Sequence, residues 1–152
     1  REGNRLEELV IAIDTSGSCK KEMVARFLGE TRRILEEKDN FFENWKVCLI
    51  QCDSFIQEKV MIHSAKEWEA YREQLVIHGR GGTDFRPVFE EVERMREKRE
   101  FSDLKALIYF TDGDGIYPEK KPDYETAFVF VKKSEKMDRV PGWAKKLLVT
   151  EQ

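Results

Sequence analysis

Two apolar runs, each stopped abruptly by an aspartate, limit what this chain can fold into. Leu9-Val10-Ile11-Ala12-Ile13 ends at Asp14, and Ala106-Leu107-Ile108-Tyr109-Phe110-Thr111 ends at Asp112. A short run that is apolar at nearly every position has no face left for water, which is the pattern of a strand buried inside a parallel sheet. Val47-Cys48-Leu49-Ile50, within Trp45 to Cys52, is a third such run. Residues 56–62 alternate apolar residues with Gln57, Glu58 and Lys59, as a half-exposed edge strand does. Thr126 to Val131 and Lys146 to Thr150 complete the strands.

The segments between them have a different period. Met23, Phe27, Leu28, Ile34 and Leu35 recur at helical spacing, predicting a helix from about Lys20 to Lys38. Ser64 and Glu67 form a capping-box pair opening a helix to about Gln74, and Pro87 suits the first turn of another reaching Lys98. Strands alternating with helices give an α/β fold: a doubly wound, mostly parallel sheet flanked by helices, with one antiparallel edge strand. Residues 113–125 carry Gly113, Gly115, Pro118 and Pro122, which rule out an ordinary crossover helix, and 132–142 is short for one. The second half of the sheet is therefore expected to have shortened crossovers and to lack helical cover on one face.

With 152 residues the chain suits a single domain, 1–152. It does not begin with Met, so it is expected to be the C-terminal part of a longer protein. The formal net charge of −3 argues against a general nucleic-acid binder, whose footprint is a basic face. No apolar run approaches the ~20 residues of a membrane span. Three cysteines are too few for a disulfide framework, and no secretory segment opens the chain, so a cytoplasmic setting is expected.

In open α/β sheets, ligands bind beyond the carboxyl ends of the strands where strand order reverses. Three loops converge there. One carries Asp14, Ser16 and Ser18; the glycine-rich Gly79-Arg80-Gly81-Gly82-Thr83-Asp84 carries Thr83 and Asp84; the last carries Asp112, Gly113, Asp114 and Gly115. Carboxylates and hydroxyls are hard oxygen ligands, which select Mg2+, Mn2+ or Ca2+ over zinc. Hydroxyls are neutral, so a cation held largely by them keeps charge to attract one more anionic oxygen.

Asp14-x-Ser16-x-Ser18, Thr83 within Gly-Gly-Thr-Asp, and Thr111-Asp112-Gly113 together resemble the metal-ion-dependent adhesion site (MIDAS) of von Willebrand factor A (VWA) domains. The resemblance covers nearly the whole chain. It implies that Ser16, Ser18 and Thr83 contact the metal, and that Asp14 and Asp112 bind it directly or through water. It also implies a Rossmann-like fold with the first strand beside the Ala106 strand. A closer likeness is to a bacterial and archaeal group with a metallopeptidase-like domain upstream of a VWA-like domain, often associated with MoxR-type AAA+ ATPases. The function it implies is a metal-dependent protein-interaction module that captures an acidic residue of a partner, either the upstream domain or such an ATPase, and is not itself an enzyme.

An alternative is a Mg2+-dependent phosphatase or hydrolase at the same strand ends. A haloacid-dehalogenase-type phosphatase needs a second Asp two residues after its nucleophile, where this chain has Ser16. Asp84 has two readings, a second layer behind the metal or a cap on the Pro87 helix. Asp114 reads as second layer or turn residue. Phe85, Ile116 and Tyr117 form the rim of a partner site or fold back on the core. Ser18 could instead cap the first helix. Cys48 and Cys52 read as buried thiols, and Cys19, beside the metal loop, as inert.

Overall fold

Both aspartate-terminated runs lie side by side at the middle of a six-stranded sheet. The computed structural model describes residues 7–17, 19–37 and 41–149. The elements are β1 (Glu7–Asp14), α1 (Lys21–Glu36), α2 (Phe41–Asn44), β2 (Trp45–Cys52), β3 (Ile56–Ile62), α3 (Ala65–Glu73), α4 (Arg86–Glu97), β4 (Leu104–Phe110), β5 (Glu125–Phe130), a 3-10 turn (Glu135–Arg139) and β6 (Lys145–Leu148). The sheet order is β3-β2-β1-β4-β5-β6. All neighbours are parallel except β2 and β3, which are antiparallel. The chain builds outward from β1 to β3, then returns to place β4 on the other side of β1. Strand order therefore reverses between β1 and β4, beside Asp14 and Asp112.

Side-chain alternation explains the unbroken apolar runs. Leu9, Ile11 and Ile13 pack beneath α1 and α3 with Phe27, Leu28 and Trp68. Val10 and Ala12 point the other way, into a core with Val88, Phe89 and Val92 of α4. Each fully buried Val or Ile contributes about 1.5–3 kcal/mol relative to an exposed one. The expected cap at α3 forms, in a variant of the capping box: the Glu67 backbone N–H donates to Ser64 Oγ at 3.1 Å, but Glu67 Oε1 reaches one residue past the N-cap and accepts the His63 N–H at 2.8 Å. The first helix ends at Glu36, and the Lys38 and Thr150 bounds lie outside the described residues. The sequence reading missed α2 and the 3-10 turn, each too short to show a period.

Both crossovers around β5 lack an α-helix, as their composition implied. They fold onto the α4 side, where Tyr117, Tyr124, Met137, Val140 and Trp143 join Phe85 and Phe128. The opposite face near β6 stays open, with Leu147 51% exposed. Among the described residues, no helix is long and apolar enough to cross a membrane.

Candidate metal centre

The parallel register places Ile13 against Phe110, so the next residues, Asp14 and Thr111, meet just past the last rung. Thr111 donates its hydroxyl to Asp14 Oδ2 at 2.6 Å and accepts the Gly113 N–H at 2.9 Å. The Ser16 N–H donates to Asp14 Oδ1 at 2.9 Å. Asp14 is thus held from both neighbouring loops while only 4% exposed. Burial pushes its carboxyl above the ordinary range; hydrogen bonds from Thr111 and Ser16 oppose this, and the nearby Asp112 charge adds to it. Hydrogen bonds favour its charge, and the second carboxylate, Asp112, repels it.

Asp14, Ser16, Asp112 and Thr111 line one cavity of about 70 Å³, together with Cys19, Lys20 and the apolar Met23, Phe110 and Val131. The space admits a small cation together with water. The donors fit such an ion: hard oxygens, half-neutral, converging where two carboxylates repel one another. Among the described residues no three His, Cys, Asp or Glu side chains gather as a metal-binding group. A site here therefore depends on hydroxyls.

The glycine-rich loop reaches the same edge by backbone contacts. Gly17 N–H donates to the Gly81 carbonyl at 3.1 Å, and Arg80 N–H donates to that of Thr15 at 2.8 Å. Thr83 follows, and a Cβ added to Gly115 would fall 2.6 Å from its Cγ2, so Gly115 lets the Asp112 loop close against it. Thr83 stands at the junction of the loops but does not line the cavity. Ser18, expected as a ligand or as a cap on the first helix, lies outside the described residues.

The remaining expectations sort by packing. Phe85 is fully buried, against Tyr109, Tyr117 and Phe128, and this corrects the rim reading: an aromatic ring beside an apolar core gains more from burial than from exposure. Ile116 is 51% exposed at the rim. Tyr117 is half-buried on Phe85, and burial pushes its hydroxyl pKa up, with Asp112 next in effect. Asp84 bears out the capping reading: Phe85, assigned as the N-cap of α4, has helical φ/ψ and no side-chain cap, and Asp84 before it satisfies a first-turn N–H. It accepts the Arg86 N–H and holds the Arg86 guanidinium through both oxygens, which lowers its pKa. Asp114 is exposed and faces Lys136 and Arg139 at 3.6 and 3.7 Å, charges supplied by the 3-10 turn. Burial, followed by the Asp14 charge, pushes the Cys19 thiol up to about 11, so it stays protonated near neutral pH, in keeping with the inert reading.

Asp53 escaped the sequence reading, and Thr111, quoted there within its motif, was given no role of its own. Asp53 follows β2 as Asp14 follows β1, an apolar strand ended by aspartate, and that repetition was the available signal. Its Oδ1 accepts from Phe55 N–H and Gln57 Nε2, and its Oδ2 accepts from Gly81 N–H, all at 3.0 Å. Burial works against its charge, but these bonds outweigh it and hold the pKa below the usual value. Gly79, at φ 119°, wraps this carboxylate so tightly that a Cβ would sit 2.9 Å from Asp53 Oδ2 and from Thr15 Oγ1. Asp53 thus shapes the loop that delivers Thr83.

Comparison with known proteins follows this geometry. Residues 9–150 match the family model described as VWA-like domain (DUF2201). Curated proteins give no match. Among solved structures, the SpRpn10 VWA domain aligns at 14% identity and TM-score 0.62, over 96% of this chain and 88% of that one. A conserved hypothetical protein BatB from Bacteroides thetaiotaomicron aligns at 17% identity and TM-score 0.63, over 95% and 89%. An aerotolerance-related membrane protein from Bacteroides fragilis aligns at 15% and 0.58, over 81% and 66%. At these identities the likeness is one of fold.

Proposed function

Since the chain belongs to the VWA-like (DUF2201) family, whose domains commonly act in protein interaction, we propose that it is a metal-dependent interaction module. Asp14, Ser16, Ser18, Thr83 and Asp112 are its proposed ligands for Mg2+, with Mn2+ and Ca2+ as alternatives. The observation carrying this reading is the buried Asp14 carboxylate, which shares one small cavity with Ser16, Thr111 and the second carboxylate Asp112. The bound ion would supply a positive centre with an open position for an anionic oxygen.

The chain's own residues do the rest. Thr111 and the Ser16 backbone fix both oxygens of Asp14, so the carboxylate is preorganised rather than recruited. Asp53 and Gly79 hold the loop that carries Thr83. A carboxylate of a partner protein completes the site. The sequence resemblance suggests two partner classes, an upstream metallopeptidase-like domain and a MoxR-type AAA+ ATPase. The role is binding rather than catalysis, since Ser16 stands where an aspartate-dependent phosphatase would need its second acid.

Thermal unfolding of the chain in Mg2+, Mn2+ and Ca2+ tests this, beside Asp112→Ala. A ligand binding only the folded state adds about 2.7 kcal/mol at roughly a hundredfold excess over Kd. For a chain of this length that raises Tm by roughly 5–10 °C. The rise is expected in the parent and absent in Asp112→Ala; no rise with any of the three ions would refute the reading.

A further inference from the structure

Several charged side chains around the metal centre have their counter-charges. Asp84 holds Arg86 through two oxygens, and Asp114 faces Lys136 and Arg139. Arg80 is different. Its guanidinium donates through Nη1 to the Cys19 carbonyl at 2.8 Å, and among the described residues no carboxylate pairs with it. Cys19 lines the same cavity as Asp14, Ser16 and Asp112. Arg80 is therefore anchored one carbonyl away from the site, exposed, with most of its donors unused.

Its backbone points the same way. Arg80 sits at φ 74°, between Gly79 and Gly81, in a region where glycine is unstrained and a side chain is not. Its N–H is fixed to Thr15. An arginine tethered to Cys19, a residue that lines the cavity, with its remaining donors open to solvent, offers a planar fork that matches a carboxylate.

We propose that Arg80 is a specificity-determining residue that takes a second carboxylate, so that the partner segment is di-acidic. This rests on the metal-dependent capture proposed above. One acid of the segment completes the metal centre, and the other, a few residues away, forks onto Arg80. A partner with a single acid loses the second contact, and a neutral segment loses both.

The test is a heteronuclear NMR titration of the chain with capped Gly/Ser peptides. One peptide carries a single Glu, and a series carries two Glu at increasing separation, each in Mg2+ and in EDTA. The best-spaced di-acidic peptide is expected to bind about tenfold tighter than the mono-acidic one in Mg2+, as a charge-assisted fork allows. It alone should shift the Arg80 Nε–Hε resonance. In Arg80→Gln the tenfold ratio should collapse towards unity. Equal affinities in the parent, or a ratio that survives Arg80→Gln, overturn the assignment while leaving metal capture standing. An equal loss for both peptides in Arg80→Gln also overturns it, because that is the signature of a mere staple between loops. If Mg2+ moves the Asp14 and Asp112 amides but neither peptide binds, carboxylate capture itself fails, and Arg80's role with it.

Discussion

Replacing Asp14 by Asn should make the chain more stable without metal and deaf to metal. The carboxylate is 4% exposed, and burial, reinforced by Asp112, raises its pKa. The folded state therefore holds this proton to higher pH than the unfolded chain, whose reference value is 3.8. Between those two values the folded state binds more protons, so stability in EDTA falls as pH rises through the raised pKa. The penalty is complete above that pKa and absent below the unfolded one. Asn removes the charge and keeps the shape. Its Oδ1 can still accept the Ser16 N–H, and the Thr111 hydroxyl can rotate to accept from its amide. Mg2+ acts oppositely: it needs the ionised carboxylate, so its stabilisation grows with pH over the same window and reaches about 2.7 kcal/mol at roughly a hundredfold excess. Calorimetry at mildly alkaline pH, in EDTA and in Mg2+, should show Tm for Asp14→Asn above the parent in EDTA and below it in saturating Mg2+. A lower Tm in EDTA would refute the buried-charge reasoning; a Mg2+ response in Asp14→Asn would refute Asp14 as a ligand.

Two further substitutions probe the supporting structure. Gly115→Ala puts a methyl 2.6 Å from Thr83 Cγ2 and 3.0 Å from the Phe85 ring, so overpacking should cost about 1–3 kcal/mol and weaken the Mg2+-induced rise in Tm; an undiminished Mg2+ response would remove Thr83 from the site. Phe85→Ala should lower stability by about 3–5 kcal/mol in a denaturant titration, because the ring is fully enclosed; a loss below about 1 kcal/mol would return Phe85 to the rim.

Much of the architecture was legible because parallel strands and amphipathic helices leave strong periodic traces. The Leu9 and Ala106 runs could not be solvated on either face, and the Pro and Gly content of 113–125 excluded a helix there. Asp14 and Asp112 were readable as strand-end residues, which brought them to the right edge before any contact was known. Asp53 has the same position after β2, yet it organises the glycine loop instead of facing the cavity. That difference comes from β3 folding back antiparallel, which brings Gln57 within reach of the carboxylate.

The amino-acid order by itself determined which segments are buried strands, which are helices, and that carboxylates and hydroxyls collect at one sheet edge. These follow from local periodicity and from the chain's single direction through each strand. Tertiary structure alone decided that Thr111 fixes Asp14, that Phe85 belongs to the core, that Asp84 is occupied by Arg86, and that no acid among the described residues pairs with Arg80. Each of those depends on distances between residues far apart in the chain or on which of two neighbours a side chain turns toward, and sequence spacing carries no record of either.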